Sequence, residues 1–361
     1  MGTLFDYLDW RGDLRFSEVE LCEVDSLILS VISYLDFEGI VPDADNGGSV
    51  TFLEAMRAYL RINKGRAQPI GKFVPPETVA IAVKAARTRR YAGIRLSHLA
   101  IVTDDALEKQ FAALTFRITR DKYFVAYRGT DDTLIGWKEN FNMSFMQPVP
   151  AQLEAVEYFN RVAADISGKF YVGGHSKGGN LAVYASVKSS EDFKERIINV
   201  FSNDGPGFDR AFIEGEDYAG IKDRIRTIVP QSSVVGMLLE HEENYEVVKS
   251  NATGLLQHHG HTWEVMGGSF LHLDTVTEDS RLIDEKLKAW LNEMTPEERE
   301  NFVDTVYETL SSTNAKTLTE LTSEKVKLVK AWNSLDPKTR NVILKCISIL
   351  IKHNAISIVK K

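Results

Sequence analysis

The sequence predicts an α/β protein in which a mostly parallel sheet carries helices on both faces, with helical additions at each end. Three observations predict it. Short apolar, strand-like segments alternate with helical-period segments between residues 98 and 229. One of these segments, Lys169 to Val172, runs through a glycine-flanked serine into a helix-like stretch, Asn180 to Val187. Outside that region only helical patterning is found, which divides the chain into an N-terminal helical region packed on the core (1–92), an α/β core (93–275) and a C-terminal helical appendage (276–361).

In chain order, Glu23-Val24-Asp25-Ser26 precedes the apolar run Leu27 to Leu35, a buried helix with Asp25 or Ser26 near its N-cap. Phe52 to Ile62 and Thr78 to Thr88 read as further helices, separated by Pro75-Pro76. No convergent polar chemistry is expected in these first ninety residues. The sheet opens with His98 to Val102, followed by Phe111 to Ile118 and Tyr123 to Tyr127, which flank Thr119-Arg120-Asp121-Lys122 as hairpin strands would. Gln152 to Ile166 places Leu153, Val156, Phe159, Val162 and Ile166 on one helical face, and Gly168 stops it. Ile197 to Ser202 and Ile225 to Val229 are the next strands. Val234 to Leu239, inside the segment running to Gln257, is apolar enough for either a lid over the site or a core helix. Thr295-Pro296-Glu297-Glu298 is a capping box with proline in the first turn, opening a helix with Phe302, Val303, Val306, Tyr307 and Leu310 on one side. Asp336-Pro337 opens a last helix carrying Ile343, Cys346, Ile347 and Leu350.

Composition narrows the class. Hydrophobic residues make up 43% and charged residues 26% of the chain, as in ordinary soluble globular proteins. A net charge of -8, with no Lys/Arg cluster, argues against a nucleic-acid partner. The N-terminus lacks the pattern of a secretory signal, and no run of 18 uncharged apolar residues is present. Cys22 and Cys346 are the only cysteines and have no metal-ligand spacing. A cytoplasmic protein without metal or cofactor is expected.

The informative stretch is Gly174-His175-Ser176-Lys177-Gly178, which fits the G-x-S-x-G nucleophile elbow. Glycines two residues either side of the serine remove the Cβ atoms that would clash as a strand doubles back into a helix. A phosphate loop fits less well, because Lys177 precedes Gly178 rather than following it. With Ser176 as nucleophile, a base and an orienting acid must follow it in the chain. Of 8 histidines, His258, His259 and His261 cluster beyond the last of these strands, with His258 the first choice as base and His261 the second. His175 points away from the hydroxyl and is expected to pack. Asp204, directly after a strand, is the expected acid, with Asp274 in reserve. The oxyanion donors are the Lys177 N–H and Thr130 on the Arg128-Gly129 turn. Lys177 opposes the dipole of the helix it opens, which suggests a preference for anionic substrates.

Val125-Ala126-Tyr127-Arg128-Gly129-Thr130, with Trp137 downstream, resembles the strand and oxyanion turn of class 3 lipases. Over nearly all its length the chain resembles the Mbeg-like family of bacterial, lipase-related α/β-hydrolase proteins. The strings that carry the resemblance include Tyr7-Leu8-Asp9-Trp10, Asn203-Asp204-Gly205-Pro206-Gly207-Phe208, Pro230 to Leu239 and Gln257-His258 with Trp263. Two departures stand out. Where class 3 lipases carry their catalytic aspartate this chain has Ser232-Ser233, and His259 stands where the family commonly has aspartate.

The resemblance implies an α/β-hydrolase fold in a family of unknown function, and the residues themselves lead to the expectation of a serine hydrolase cleaving carboxylic esters, of small molecules or lipids, through a Ser176-His258-Asp204 triad. A thioesterase or acyltransferase would use the same constellation. The rival class is a non-catalytic scaffold whose helical regions bind a second copy or a protein partner.

Overall fold

The computed structural model describes residues 2–64, 74–239 and 245–313, with shorter stretches between 315 and 344. The chain begins with α1 (Leu4–Arg11) and α2 (Glu23–Ile32), then β1 (Val50–Thr51), α3 (Phe52–Ile62) and α4 (Glu77–Ala85). The core follows as β2 (Arg95–Asp104), β3 (Lys109–Arg117), β4 (Lys122–Tyr127), α5 (Leu134–Asn142), α6 (Pro150–Asp165), β5 (Lys169–His175) and α7 (Lys177–Lys188). One-turn helix α8 (Glu191–Lys194) leads to β6 (Ile197–Asn203), and α9 (Arg210–Ile213) and α10 (Glu216–Ala219) lead to β7 (Ile225–Pro230) and β8 (Glu246–Val248). Short strands β9 (Val265–Met266), β10 (Ser269–Phe270) and β11 (His272–Leu273) precede α11 (Glu278–Asn292) and α12 (Pro296–Ser311).

One sheet runs in the order β1-β2-β3-β4-β5-β6-β7-β8-β11. Strands β4 to β8 are parallel, while β1, β2 and β3 pair antiparallel on one side and β11 antiparallel to β8 on the other. This is the α/β-hydrolase fold expected. The turn Thr119 to Asp121 joins β3 and β4, with Arg117 opposite Tyr123.

Period-2 alternation splits the apolar residues of the central strands between two cores. Phe124, Ala126, Tyr171 and Phe201 face a core completed by α1 to α4, whereas Val125, Tyr127, Phe170, Val172 and Val200 face one completed by α6 and α7. The N-terminal helices are therefore one layer of the sandwich. Without them Phe116, Phe124, Phe201 and Ile228 would be bare on the sheet. At about 1.5–3 kcal/mol per large apolar side chain, four such losses rival a whole domain's net stability.

Several details depart from expectation. The buried stripe of α6 is Ala155, Tyr158, Phe159, Val162 and Ala163, and Leu153 points to solvent. Asp25 does lie near the N-cap of α2, as the third residue of its first turn, accepting from the N–H of the N-cap residue Cys22 at 3.0 Å. The first ninety residues do hold convergent polar groups. Asp25 is fully buried and accepts from Tyr7, Tyr91 and Arg90. Val234 to Leu239 forms irregular turns rather than a helix, and residues 240–244 lie outside the described residues. The capping box at Thr295 is present, with its Oγ1 accepting from Glu298 N at 3.2 Å. Of the last expected helix, Ile343 is described, and Cys346, Ile347 and Leu350 lie outside the described residues. No described helix is long and apolar enough to cross a membrane.

Candidate active site

Parallel strands β5 and β6 end side by side, and both end on strained residues. Ser176 has φ 59°, ψ -133° and caps α7, and Asp204 has φ 52°. Left-handed conformations of this kind cost about 1–3 kcal/mol in a non-glycine residue and persist only where neighbours hold them. Here the strands do so: Ser176 N donates to Asn203 O at 3.0 Å, and Asp204 N to Ile228 O at 2.8 Å. The glycines are sterically obligatory. A Cβ on Gly174 would lie 2.2 Å from the Gly178 carbonyl carbon, and one on Gly178 would lie 2.1 Å from Tyr127 O.

Asp204 is fully buried, and each of its oxygens has a partner. Oδ2 lies 2.6 Å from His258 Nδ1, and Oδ1 accepts from Ser233 Oγ at 2.5 Å and from Gly236 N at 3.2 Å. The apolar Val234 to Leu239 stretch thus bends around the acid, with Met237 packed on Val229 and Val247. Ser233, at the serine pair that interrupts the lipase pattern, braces the carboxylate supplied by the neighbouring strand.

His258 ends a short 3-10 turn, and its ring packs against that of His175, tilted by 36° with centroids 4.6 Å apart. This contact sets the base candidate against the residue preceding Ser176, and no hydrogen bond joins the Ser176 hydroxyl to His258 among the described residues. Such contacts commonly tighten only when substrate is bound. His261 is elsewhere, 4.0 Å from Glu77, and stacks with His259. Asp274 is exposed. Burial, reinforced by the neighbouring histidines, holds the His259 imidazole down at about 4.

The Lys177 N–H lies in the first turn of α7, where helical N–H groups have no intrahelical acceptor. The Arg128-Gly129-Thr130 turn faces it across the elbow: a Cβ on Gly129 would come 3.2 Å from the Ser176 Cβ. Thr130 Oγ1 accepts from Asn140 Nδ2, which fixes its side chain. The Lys177 side chain does not reach a substrate. Its ammonium is 1% exposed and donates to Gln110 O, Gln110 Oε1 and Glu139 Oε2 at 2.7, 2.8 and 2.8 Å. The expected role in choosing anionic substrates is therefore wrong: Glu139 neutralises the cation internally.

Sequence reasoning missed Glu139, Ser233 and Tyr34. The Tyr34 hydroxyl is 3.3 Å from both His175 Nδ1 and His175 O. None of the three belongs to the elbow, Ser233 stands in the Pro230 to Leu239 string without a role having been read for it, and each arrives from outside the elbow segment. One group of metal-capable side chains occurs among the described residues, Glu23, Glu246 and His272, away from the elbow. Its carboxylates are already paired with the Arg226 guanidinium, so it reads as an ionic tie rather than a metal centre.

Fold and elbow together define an α/β-hydrolase-fold protein. Residues 85–308, more than half of the chain, match the Mbeg1-like family, and the chain belongs to that family. No curated protein matches. Among solved structures the chain is similar to the Rhizomucor miehei lipase propeptide complex, at 17% identity over 43% of this chain and 57% of that one, TM-score 0.32. It is also similar to lipase II from Rhizopus niveus, at 14% identity over 63% and 79%, TM-score 0.37. A mutant form of MDLA from Penicillium cyclopium gives 12% identity over 73% and 88%, TM-score 0.37. The chain spans less than two thirds of the first of these, and the fold assignment rests on strand order and register.

Proposed function

We propose that this protein is a serine hydrolase that cleaves carboxylic esters through an acyl-enzyme on Ser176. The observation that carries the reading is the 2.6 Å contact between Asp204 Oδ2 and His258 Nδ1 beside a serine held at φ 59°. Asp204 orients the imidazole so that Nε2 is the free base. The Ser176 oxygen attacks the ester carbonyl while its proton passes to Nε2, and the tetrahedral oxyanion meets the Lys177 N–H and Thr130. Collapse expels the alcohol, which takes the proton from His258; water then repeats the sequence on the acyl-enzyme. Leu255 and Leu256, 45% and 60% exposed just before His258, offer apolar surface for an acyl chain. Thioesters and acyl transfer would use the same groups.

A scaffold without catalysis is the second reading, favoured by the missing hydrogen bond between Ser176 and His258. Intact-mass labelling with a fluorophosphonate probe separates the two. Stoichiometric adduct on wild type and none on Ser176→Ala is the expected result. An unlabelled, folded wild type, in buffer and in detergent alike, would rule out the hydrolase. Asp204→Asn should slow the chemical step about 10⁴-fold, as loss of the orienting carboxylate does in serine proteases.

A further inference from the structure

The ring of His175 and the hydroxyl of Tyr34 form a chain leading from the N-terminal layer to the base candidate. His175 Nε2 lies 2.7 Å from the carbonyl oxygen of His258. A carbonyl only accepts, so Nε2 carries the proton and Nδ1 is left as an acceptor. Nδ1 faces the Tyr34 hydroxyl at 3.3 Å, and the same hydroxyl lies 3.3 Å from His175 O, so its one proton is shared between the two acceptors. That hydroxyl occupies the junction of the elbow and the oxyanion turn, since a Cβ on Gly129 would stand 2.1 Å from it and 2.6 Å from His175 O. Tyr34 is 6% exposed and lies just after α2, outside the 85–308 stretch that matches the family.

We infer that His175 and Tyr34 are positioning residues for His258, with His175 fixing its backbone through Nε2–H and its ring by a tilted packing contact, and Tyr34 fixing the tautomer that makes this bond. The inference rests on the serine-hydrolase reading and extends it to a segment outside the matched stretch. Burial first, and the neighbouring His258 second, push the His175 imidazole well below its ordinary value, so it is neutral at neutral pH. Neutrality matters here, because a second cation packed against His258 would oppose the imidazolium formed during attack. The pairing also explains an imidazole buried next to a nucleophile that it does not itself contact.

The test measures fluorophosphonate inactivation kinetics, separating the maximal rate from the half-saturating concentration. His175→Leu removes both donor and ring and should lower the maximal rate about 10- to 100-fold, the scale of a base displaced by an ångström. The half-saturating concentration should stay within about twofold, because the probe's binding surface is untouched. His175→Gln, which returns an N–H donor near the Nε2 position, should recover the rate to within about threefold of wild type. Tyr34→Phe removes one hydroxyl with little risk to folding and should cost about 3- to 10-fold. A Leu variant as fast as wild type, a Gln variant no better than Leu, or a loss confined to half-saturation would overturn the positioning role. Imidazole nitrogen NMR of the same proteins separates the two readings. His258 resonances unmoved in His175→Leu and Tyr34→Phe overturn the inference regardless of labelling. Shifted resonances with an unlabelled wild type would uphold positioning and remove the hydrolase.

Discussion

Gly178 has room for a hydrogen and nothing larger, with the Tyr127 carbonyl 2.1 Å from where a Cβ would stand. Gly178→Ala should destabilise by about 1–3 kcal/mol, read as a lower urea midpoint, and reduce probe labelling with it. Ser233→Ala removes the 2.5 Å hydrogen bond to Asp204 Oδ1. A bond to a buried carboxylate contributes about 1.5–3 kcal/mol, so a rate about tenfold to a hundredfold lower is expected in the same assay. At this scale the elbow was legible because its cause is local: two glycines and a serine in five residues state the steric problem and its solution. Asp204 was legible as a carboxylate at a strand end. The choice between His258 and His261 was not, because it depends on which ring meets Asp204 across 54 residues of chain. Tyr34 gave no sign, being one apolar-looking residue after a helix and 141 positions from His175.

Helix α5 shows how an element escapes sequence reading. Leu134 to Asn142 contains glycine and two asparagines, poor helix formers, and its stability comes from elsewhere. Thr133 caps it at 3.1 Å from Gly136 N, and Glu139 ties it to Gln110 N, Ala151 N and Lys177. Its outer side is covered by α12, where Lys138 Nζ lies 2.5 Å from Glu108 Oε1 and 2.7 Å from Asp304 Oδ1. Lys138→Met would leave those carboxylates facing each other. Both are over a third exposed, so the cost should be about 1 kcal/mol, seen as a lower urea midpoint with an unchanged slope. The strands of the sheet, by contrast, were readable because alternation or an unbroken apolar run is imposed by burial of each strand itself.

The two cores share one sheet, so the N-terminal layer and the α6/α7 layer stand or fall together. Arg90→Met would strand the Asp25 carboxylate among Tyr7 and Tyr91 without its cation, costing about 3–5 kcal/mol in the cooperative unfolding of the whole molecule. Protonation acts at the same scale. Burial lowers the folded-state values of His175, His259 and His261 below the ordinary 6.5, that of His259 to about 4. The unfolded chain then binds more protons, so these groups contribute stability that is present above about pH 6.5 and is lost as pH falls toward about 4. His259→Gln should flatten the decline in melting temperature between those limits relative to wild type. The layered fold was legible as α/β from alternation of periods, and residues 1–92 were expected to pack on the core, but the face of the sheet they cover was not legible, since nothing in a helix's own pattern names the surface it covers. At the start of α5, Leu134 N donates to Lys316 O and Thr133 forms a bridge with Thr317, a pairing with a temporal consequence. Ribosomal synthesis delivers these partners 184 residues apart, roughly 10 to 40 s at ordinary elongation rates. The start of α5, just past the turn beside Ser176, therefore spends that interval on the nascent chain without this tether, which forms only after residue 317 has left the exit tunnel.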